Sequence, residues 1–88
     1  MKTLIFVRGR NAKEQIRVCE EYASKHDLEI IGVAKDEKEL TVSVLGGGVE
    51  CVIASEAHRI ARSRMEYTQS EKMFNKFGVK LIAAGGTL

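Results

Sequence analysis

Two segments of the sequence hold most of its residues that are suited to phosphate chemistry. The first is Arg8-Gly9-Arg10-Asn11, and the second runs over residues 55–64. A guanidinium group is planar and always charged, so it can bind two oxygens of one phosphate at once. Residue types and spacing therefore predict a phosphate or nucleic-acid backbone site, and its candidate residues are Arg8, Arg10, His58, Arg59, Arg62 and Arg64.

Arg59 and Arg62 are three positions apart, so on a helical turn they would share one face. An alternative interpretation is that the arginines are solvated loop residues, paired with Glu56, Asp36 or Glu37. A lone histidine such as His58 is also more often an ordinary hydrogen-bonded polar residue than a residue with a role in catalysis or binding. The convergence of several basic groups favours the site over this alternative.

Other kinds of site find less support in the sequence. Residues 46–48 are three glycines, but no Gly-Lys-Ser/Thr follows them as it does in a P-loop. Cys19 and Cys51 belong to no metal-ligand spacing, so we expect two reduced, buried thiols and no metal site. Nothing in the sequence indicates a cofactor.

Length and composition are typical of one small globular domain. The chain has 88 residues, 44% of them hydrophobic and 30% charged, which predicts a single domain over residues 1–88. The net charge of +2 is too small to identify a nucleic-acid binder by itself. No apolar run is long enough to cross a membrane or to form a signal peptide, so we expect no membrane partner and a cytoplasmic location.

The elements that must position the arginines alternate between strand and helix. A helix is predicted over residues 12–25, with Asn11 and Glu14 as a capping box, and another helical pattern runs from Ile60 to Phe77. Residues 40–45 fit either a strand or a short helix, and the glycines after them favour the helix. Strands are predicted over residues 3–7, 28–34, 49–54 and 79–84.

This alternation predicts an α/β fold of three layers, with a four-stranded parallel sheet in the order 2-1-3-4 and helices on both faces. Ligands of such sheets bind beyond the carboxyl ends of the strands, where the strand order reverses. That reversal falls between the first and third strands. The two arginine segments follow these two strands, so we expect them to meet in one crevice.

Three motifs resemble the N-terminal catalytic domain of the serine recombinases, the resolvase/invertase family. They are Phe6-Val7-Arg8 before a helix that contains Gln15, residues 30–37 as a second strand with an acidic turn, and His58-Arg59-Ile60-Ala61-Arg62-Ser63. The last is the most specific, and the resemblance covers residues 3–84. It implies that Arg8, Arg59 and Arg62 match active-site arginines that bind the scissile phosphate.

Departures from the family pattern are equally informative. Arg10 stands where the resemblance places the nucleophilic serine, and His58 stands where it places an aspartate. The interval from Arg8 to Gln15 is one residue longer than usual, and the region between the second and third strands is shortened. The sequence also ends before the long dimerisation helix and any C-terminal DNA-binding region. We therefore expect a degenerate, truncated and catalytically inactive domain.

The leading hypothesis is a resolvase-like domain, of mobile-element or prophage origin, that binds DNA backbone weakly or modulates a recombinase. Two alternatives remain: a small protein-interaction module, and a residual phosphoryl-transfer or nuclease enzyme that uses His58, Ser55 or Ser63. We also expect the protein to form a homo-oligomer or to dock on a partner, since the last strand lies at a sheet edge and the last helix is rich in large apolar residues. These residues are Met65, Met73, Phe74 and Phe77.

Overall fold

Four parallel strands form the centre of the molecule. The computed structural model describes residues 1–86, and its strands pair in the order β2-β1-β3-β4. The predicted sheet is therefore confirmed. In chain order the elements are β1 (Lys2–Phe6), α1 (Ala12–Lys25), β2 (Glu29–Ala34), α2 (Glu37–Leu45), β3 (Cys51–Ala54), a 3₁₀ turn (Ala57–Arg59), α3 (Arg64–Lys76) and β4 (Lys80–Ala83).

Helices cover the sheet on both faces, as the sequence predicts. Because side chains alternate along a strand, Leu4 and Phe6 pack on the side of α2 and α3, while Ile5 packs against α1. Every residue of β3 is completely buried. Burying one large apolar side chain contributes roughly 1.5–3 kcal/mol. The two central strands, β1 and β3, therefore contribute a large part of the stability of the fold. No helix within residues 1–86 is long and apolar enough to span a bilayer.

The ambiguous segment over residues 40–45 lies in helix α2, which confirms the favoured interpretation. The helix starts earlier than predicted because Asp36 caps it: its Oδ1 accepts a hydrogen bond from Glu39 N at 2.8 Å. Leu40 and Val44 face the core, whereas Val42 lies on the outer face with 63% of its surface exposed. The β-branched residues therefore do not outweigh a good cap and an apolar face.

Two further features at helix N-termini differ from the prediction: the cap of α1 and the start of α3. Asn11 has φ 63° and its side chain caps nothing, so the predicted capping box with Glu14 is wrong. The second case is α3, which begins at Arg64 and not at Ile60, because Ser63 is its N-cap and accepts from Glu66 N at 3.2 Å. Arg59 and Arg62 consequently share no α-helical face.

Gln15 holds the loop that follows β1. Its side chain is 2% exposed, and its Oε1 accepts a hydrogen bond from Arg8 N at 3.0 Å. Its Nε2 donates to the carbonyl oxygens of Arg8 at 2.9 Å and Arg10 at 2.7 Å. Gly9 crosses this loop with φ +79°, and a Cβ there would lie 3.1 Å from Arg59 Nη1. The loop is therefore fixed from two sides, by α1 and by the 3₁₀ turn.

We expect Gln15→Leu to lower the free energy of unfolding by about 1–3 kcal/mol, because it removes all three of these hydrogen bonds. Urea denaturation followed by circular dichroism measures this change. Lys13→Ala is the matched control, since Lys13 is exposed on the same helix. Equal unfolding free energies for Gln15→Leu and the wild type would contradict the assigned role of Gln15.

Candidate functional site

An open cavity lies at the carboxyl ends of β1 and β3, where the strand order reverses. Its volume is about 460 Å³. Three of the predicted basic residues meet here, each from a different part of the chain: the loop after β1, the 3₁₀ turn and the segment before α3. We call this cavity the crevice, and it is lined by Arg8, Glu37, His58, Ile60, Ala61, Arg62 and Glu66.

The other candidate arginines do not line the crevice. Arg59 Nη1 donates to Arg8 O at 3.0 Å, and its buried Nε has no hydrogen-bond partner among residues 1–86. Arg59 therefore ties the two arginine segments together. Arg10 is exposed on the loop after β1. Arg64 lies in another groove, between α3 and β4, beside Tyr67 and Glu71.

Carboxylates balance the positive charge in the crevice. Arg8 Nη1 lies 2.9 Å from Glu37 Oε1, and the two side chains are 50% and 70% exposed. His58 Nδ1 lies 3.1 Å from Oε2 of Glu56, a residue that does not itself line the crevice. Exposed pairs of this kind contribute roughly 0–1 kcal/mol to stability. The pairing that the sequence offered as an alternative for the arginines is thus present for Arg8, in a cavity that is still open to solvent.

Glu66 is a crevice residue that sequence reasoning did not identify. Its Oε2 accepts a hydrogen bond from Arg62 N at 3.0 Å, while its own backbone N–H donates to Ser63 Oγ. The two bonds fix the chain around Arg62 at the start of α3. A signal for this role was present in the sequence as Ser63-x-x-Glu66, the pattern of a capping box.

The serines near the crevice and both cysteines, which could act as nucleophiles, are either buried or already hydrogen-bonded. Ser55 is 3% exposed, and Ser63 Oγ is the N-cap of α3. Both cysteines are free and buried, as the sequence predicts. Burial raises the pKa of the Cys19 thiol to about 12 and also raises the pKa of Cys51, so both thiols stay protonated near neutral pH.

The similarity of this chain to known proteins lies in its fold and not in its overall sequence. The sequence matches no protein-family model and no curated protein. The fold, however, is similar to the N-terminal catalytic domain of TP901-1 integrase, with a TM-score of 0.80 and 20% identity, over 96% of this chain and 77% of that one. It is also similar to a resolvase family site-specific recombinase from Streptococcus pneumoniae, with a TM-score of 0.76 and 17% identity, over 96% of this chain and 72% of that one.

Both neighbours carry the parallel sheet and covering helices over nearly the whole of this chain. The resemblance first drawn from Phe6-Val7-Arg8 and the motif at residues 58–63 is thereby confirmed at the level of fold. The chain has the fold of the serine recombinase, or resolvase, catalytic domains.

Proposed function

We propose that this chain is a resolvase-like domain without strand-exchange activity that binds the DNA backbone weakly through the crevice. The observation that carries the proposal is Arg10, which stands where the motif resemblance places the nucleophilic serine. Gln15 holds the Arg10 carbonyl, so the backbone at this position is well defined. An arginine there can bind a phosphate but cannot form a phosphoserine ester.

Neither serine near the crevice replaces the missing nucleophile. Ser55 is buried, and its Oγ has no hydrogen-bond partner among residues 1–86 that could act as a base. Ser63 Oγ already accepts the Glu66 backbone N–H. His58 is paired with Glu56 and is not bonded to either serine. These contacts favour a binding role over the residual nuclease that the sequence left open.

Binding to the DNA backbone follows from what remains. Arg8 and Arg62 line an open cavity, and Arg10 is exposed on the same loop as Arg8. Arginines that contact phosphates position a protein on DNA without reading its sequence. Glu37 and Glu66 lie in the same cavity and offset the formal charges of Arg8 and Arg62. We therefore expect weak binding without sequence preference.

Arg8 and Arg62 in the crevice, together with the exposed Arg10 on the loop after β1, should determine the salt dependence of this binding. Three phosphate contacts, from Arg8, Arg10 and Arg62, give an expected slope of about −2.7 for log affinity against log salt. Arg8→Ala/Arg62→Ala should reduce the slope to about −0.9 and weaken binding strongly. Fluorescence anisotropy with a labelled DNA duplex measures both quantities.

Lys25→Ala/Lys76→Ala is the control, because it removes the same charge from the exposed last residues of α1 and α3, at the end of the sheet opposite the crevice. It should leave most of the affinity intact. Equal losses in the two double variants would show that net charge, not the crevice, governs binding.

We expect the protein neither to nick supercoiled plasmid DNA nor to form a covalent DNA adduct, because the serine oxygen is absent. Agarose electrophoresis detects nicking, and a denaturing gel detects the adduct. Arg10→Ser should not restore strand exchange, since His58 still departs from the family pattern. An active serine recombinase in the same assay is the positive control, and a denaturant-resistant adduct with the wild type would refute inactivity.

A second candidate function is self-association or docking on another protein, and exposed apolar side chains favour it. Met65 is 72% exposed, Met73 51% and Phe77 56%. Phe74, which the sequence groups with them, belongs to the core. Methionine side chains adapt readily to partner surfaces.

If these side chains mediate self-association, Met73→Ser/Phe77→Ser should shift the protein towards monomer. Sedimentation velocity over a wide concentration range measures the shift. The control is Thr68→Ala/Asn75→Ala, which changes exposed polar positions of the same helix. A wild type that stays monomeric at the highest concentration would remove the basis for self-association.

A further inference from the structure

Arg8 is a basic residue of the crevice whose guanidinium already has an anionic partner. Its backbone is held by Gln15 and by Arg59, so the side chain is the part that can move. The Nη1 of Arg8 lies 2.9 Å from Glu37 Oε1, and both residues line the crevice. A carboxylate offers two oxygens to a guanidinium in much the same way as a phosphate does. Glu37 therefore takes up part of the anion-binding capacity of Arg8.

Helix α2 presents Glu37 from a well-anchored first turn. Asp36 Oδ1 accepts the Glu39 N–H, and Glu39 Oε2 accepts the Lys35 N–H at 2.7 Å. Leu40, one turn into the helix, is buried against the sheet. Capping is thus carried out by Asp36 and Glu39. The carboxylate of Glu37 is left to face Arg8.

Glu66, the other acidic residue of the crevice, has a different role. Its carboxylate accepts the Arg62 backbone N–H and so fixes the start of α3. Removing that carboxylate would disturb the segment that carries Arg62. Glu37 pairs with a side chain, so its negative charge can be removed with little effect on the backbone.

We propose that Glu37 competes with a DNA phosphate for Arg8 and sets the affinity of the crevice low. The inference rests on the proposed function, since it names the group that regulates the same site. For a phosphodiester to bind, Arg8 must exchange the carboxylate of Glu37 for a phosphate oxygen. The displaced Glu37 then repels that phosphate from the edge of the cavity.

Glu37→Gln should therefore tighten DNA binding about three- to tenfold, because it removes an exposed ion pair and a like charge close to the phosphate. Glutamine has nearly the same shape, so α2 and its cap should persist. Fluorescence anisotropy with a short labelled DNA duplex of mixed sequence measures the affinity. Glu20→Gln is the control, since it adds the same charge on α1, away from the crevice, and it should change the affinity by less than about twofold.

A double-mutant cycle separates competition from a general charge effect. In an Arg8→Ala background, Glu37→Gln should tighten binding by less than about twofold, because the group for which the carboxylate competes is gone. An equal gain with and without Arg8 would overturn the competition.

The same series distinguishes this inference from the proposed function. If Arg8→Ala/Arg62→Ala weakens binding but Glu37→Gln leaves it unchanged or weakens it, the competition is overturned and the crevice still binds DNA. Weaker binding would mean that Glu37 orients Arg8 for the phosphate. If neither the wild type nor any variant binds the duplex, the proposed function fails, and the inference fails with it.

Discussion

The structure depends on one constraint: β1 and β3 are apolar on both faces and must be covered from both sides. Helix α1 supplies one cover, and α2 and α3 supply the other. Connections between parallel strands are right-handed, so helices can cover both faces only if the order in which strands are added reverses. In this sheet the order reverses between β1 and β3. The loops after these two strands are therefore adjacent, and each carries arginines. The position of the candidate site follows from the way the core is buried.

Within this frame, polar contacts decide how each arginine is used. Gln15 and Arg59 fix the loop after β1, and the Ser63–Glu66 cap fixes the chain beside Arg62. The guanidinium of Arg59 donates a hydrogen bond to the Arg8 carbonyl, so Arg59 acts as a positioning residue. Of the three arginines that match the recombinase motif, only Arg8 and Arg62 line the crevice. Carboxylates further offset the charge in the crevice, which supports the weak binding that we propose over a tight phosphate clamp.

The likeness to recombinase catalytic domains lies in the fold. By the motif resemblance, Arg10 and His58 depart from the family pattern, whereas Arg8, Arg59 and Arg62 match it. The agreeing positions fall into two groups: Arg59 supports the loop, while Arg8 and Arg62 line the cavity. Agreement with the motif therefore reflects structural support for Arg59, and only for Arg8 and Arg62 does it bear on the phosphate binding that we propose.

The sequence by itself determined the order of the elements and the parallel sheet, because short apolar runs alternate with amphipathic segments and only a few topologies cover such strands. It also predicted α1 over residues 12–25, since apolar positions there recur at helical spacing. The start of α3 was predicted wrongly, because an apolar helical pattern extends back to Ile60. The Ser63-x-x-Glu66 capping pattern, which marks the true start, is present in the sequence but was outweighed by that periodicity.

The roles within the site were decided by tertiary structure alone. Arg8 and Glu37 are far apart in sequence, and they meet because β1 and β2 pair in parallel and α2 starts just beyond β2. Arg59 and Arg8 likewise meet because β3 lies beside β1. Local patterns specify which residues can bind an anion. Which of them face a ligand, and which face each other, depends on long-range pairing that no local pattern contains.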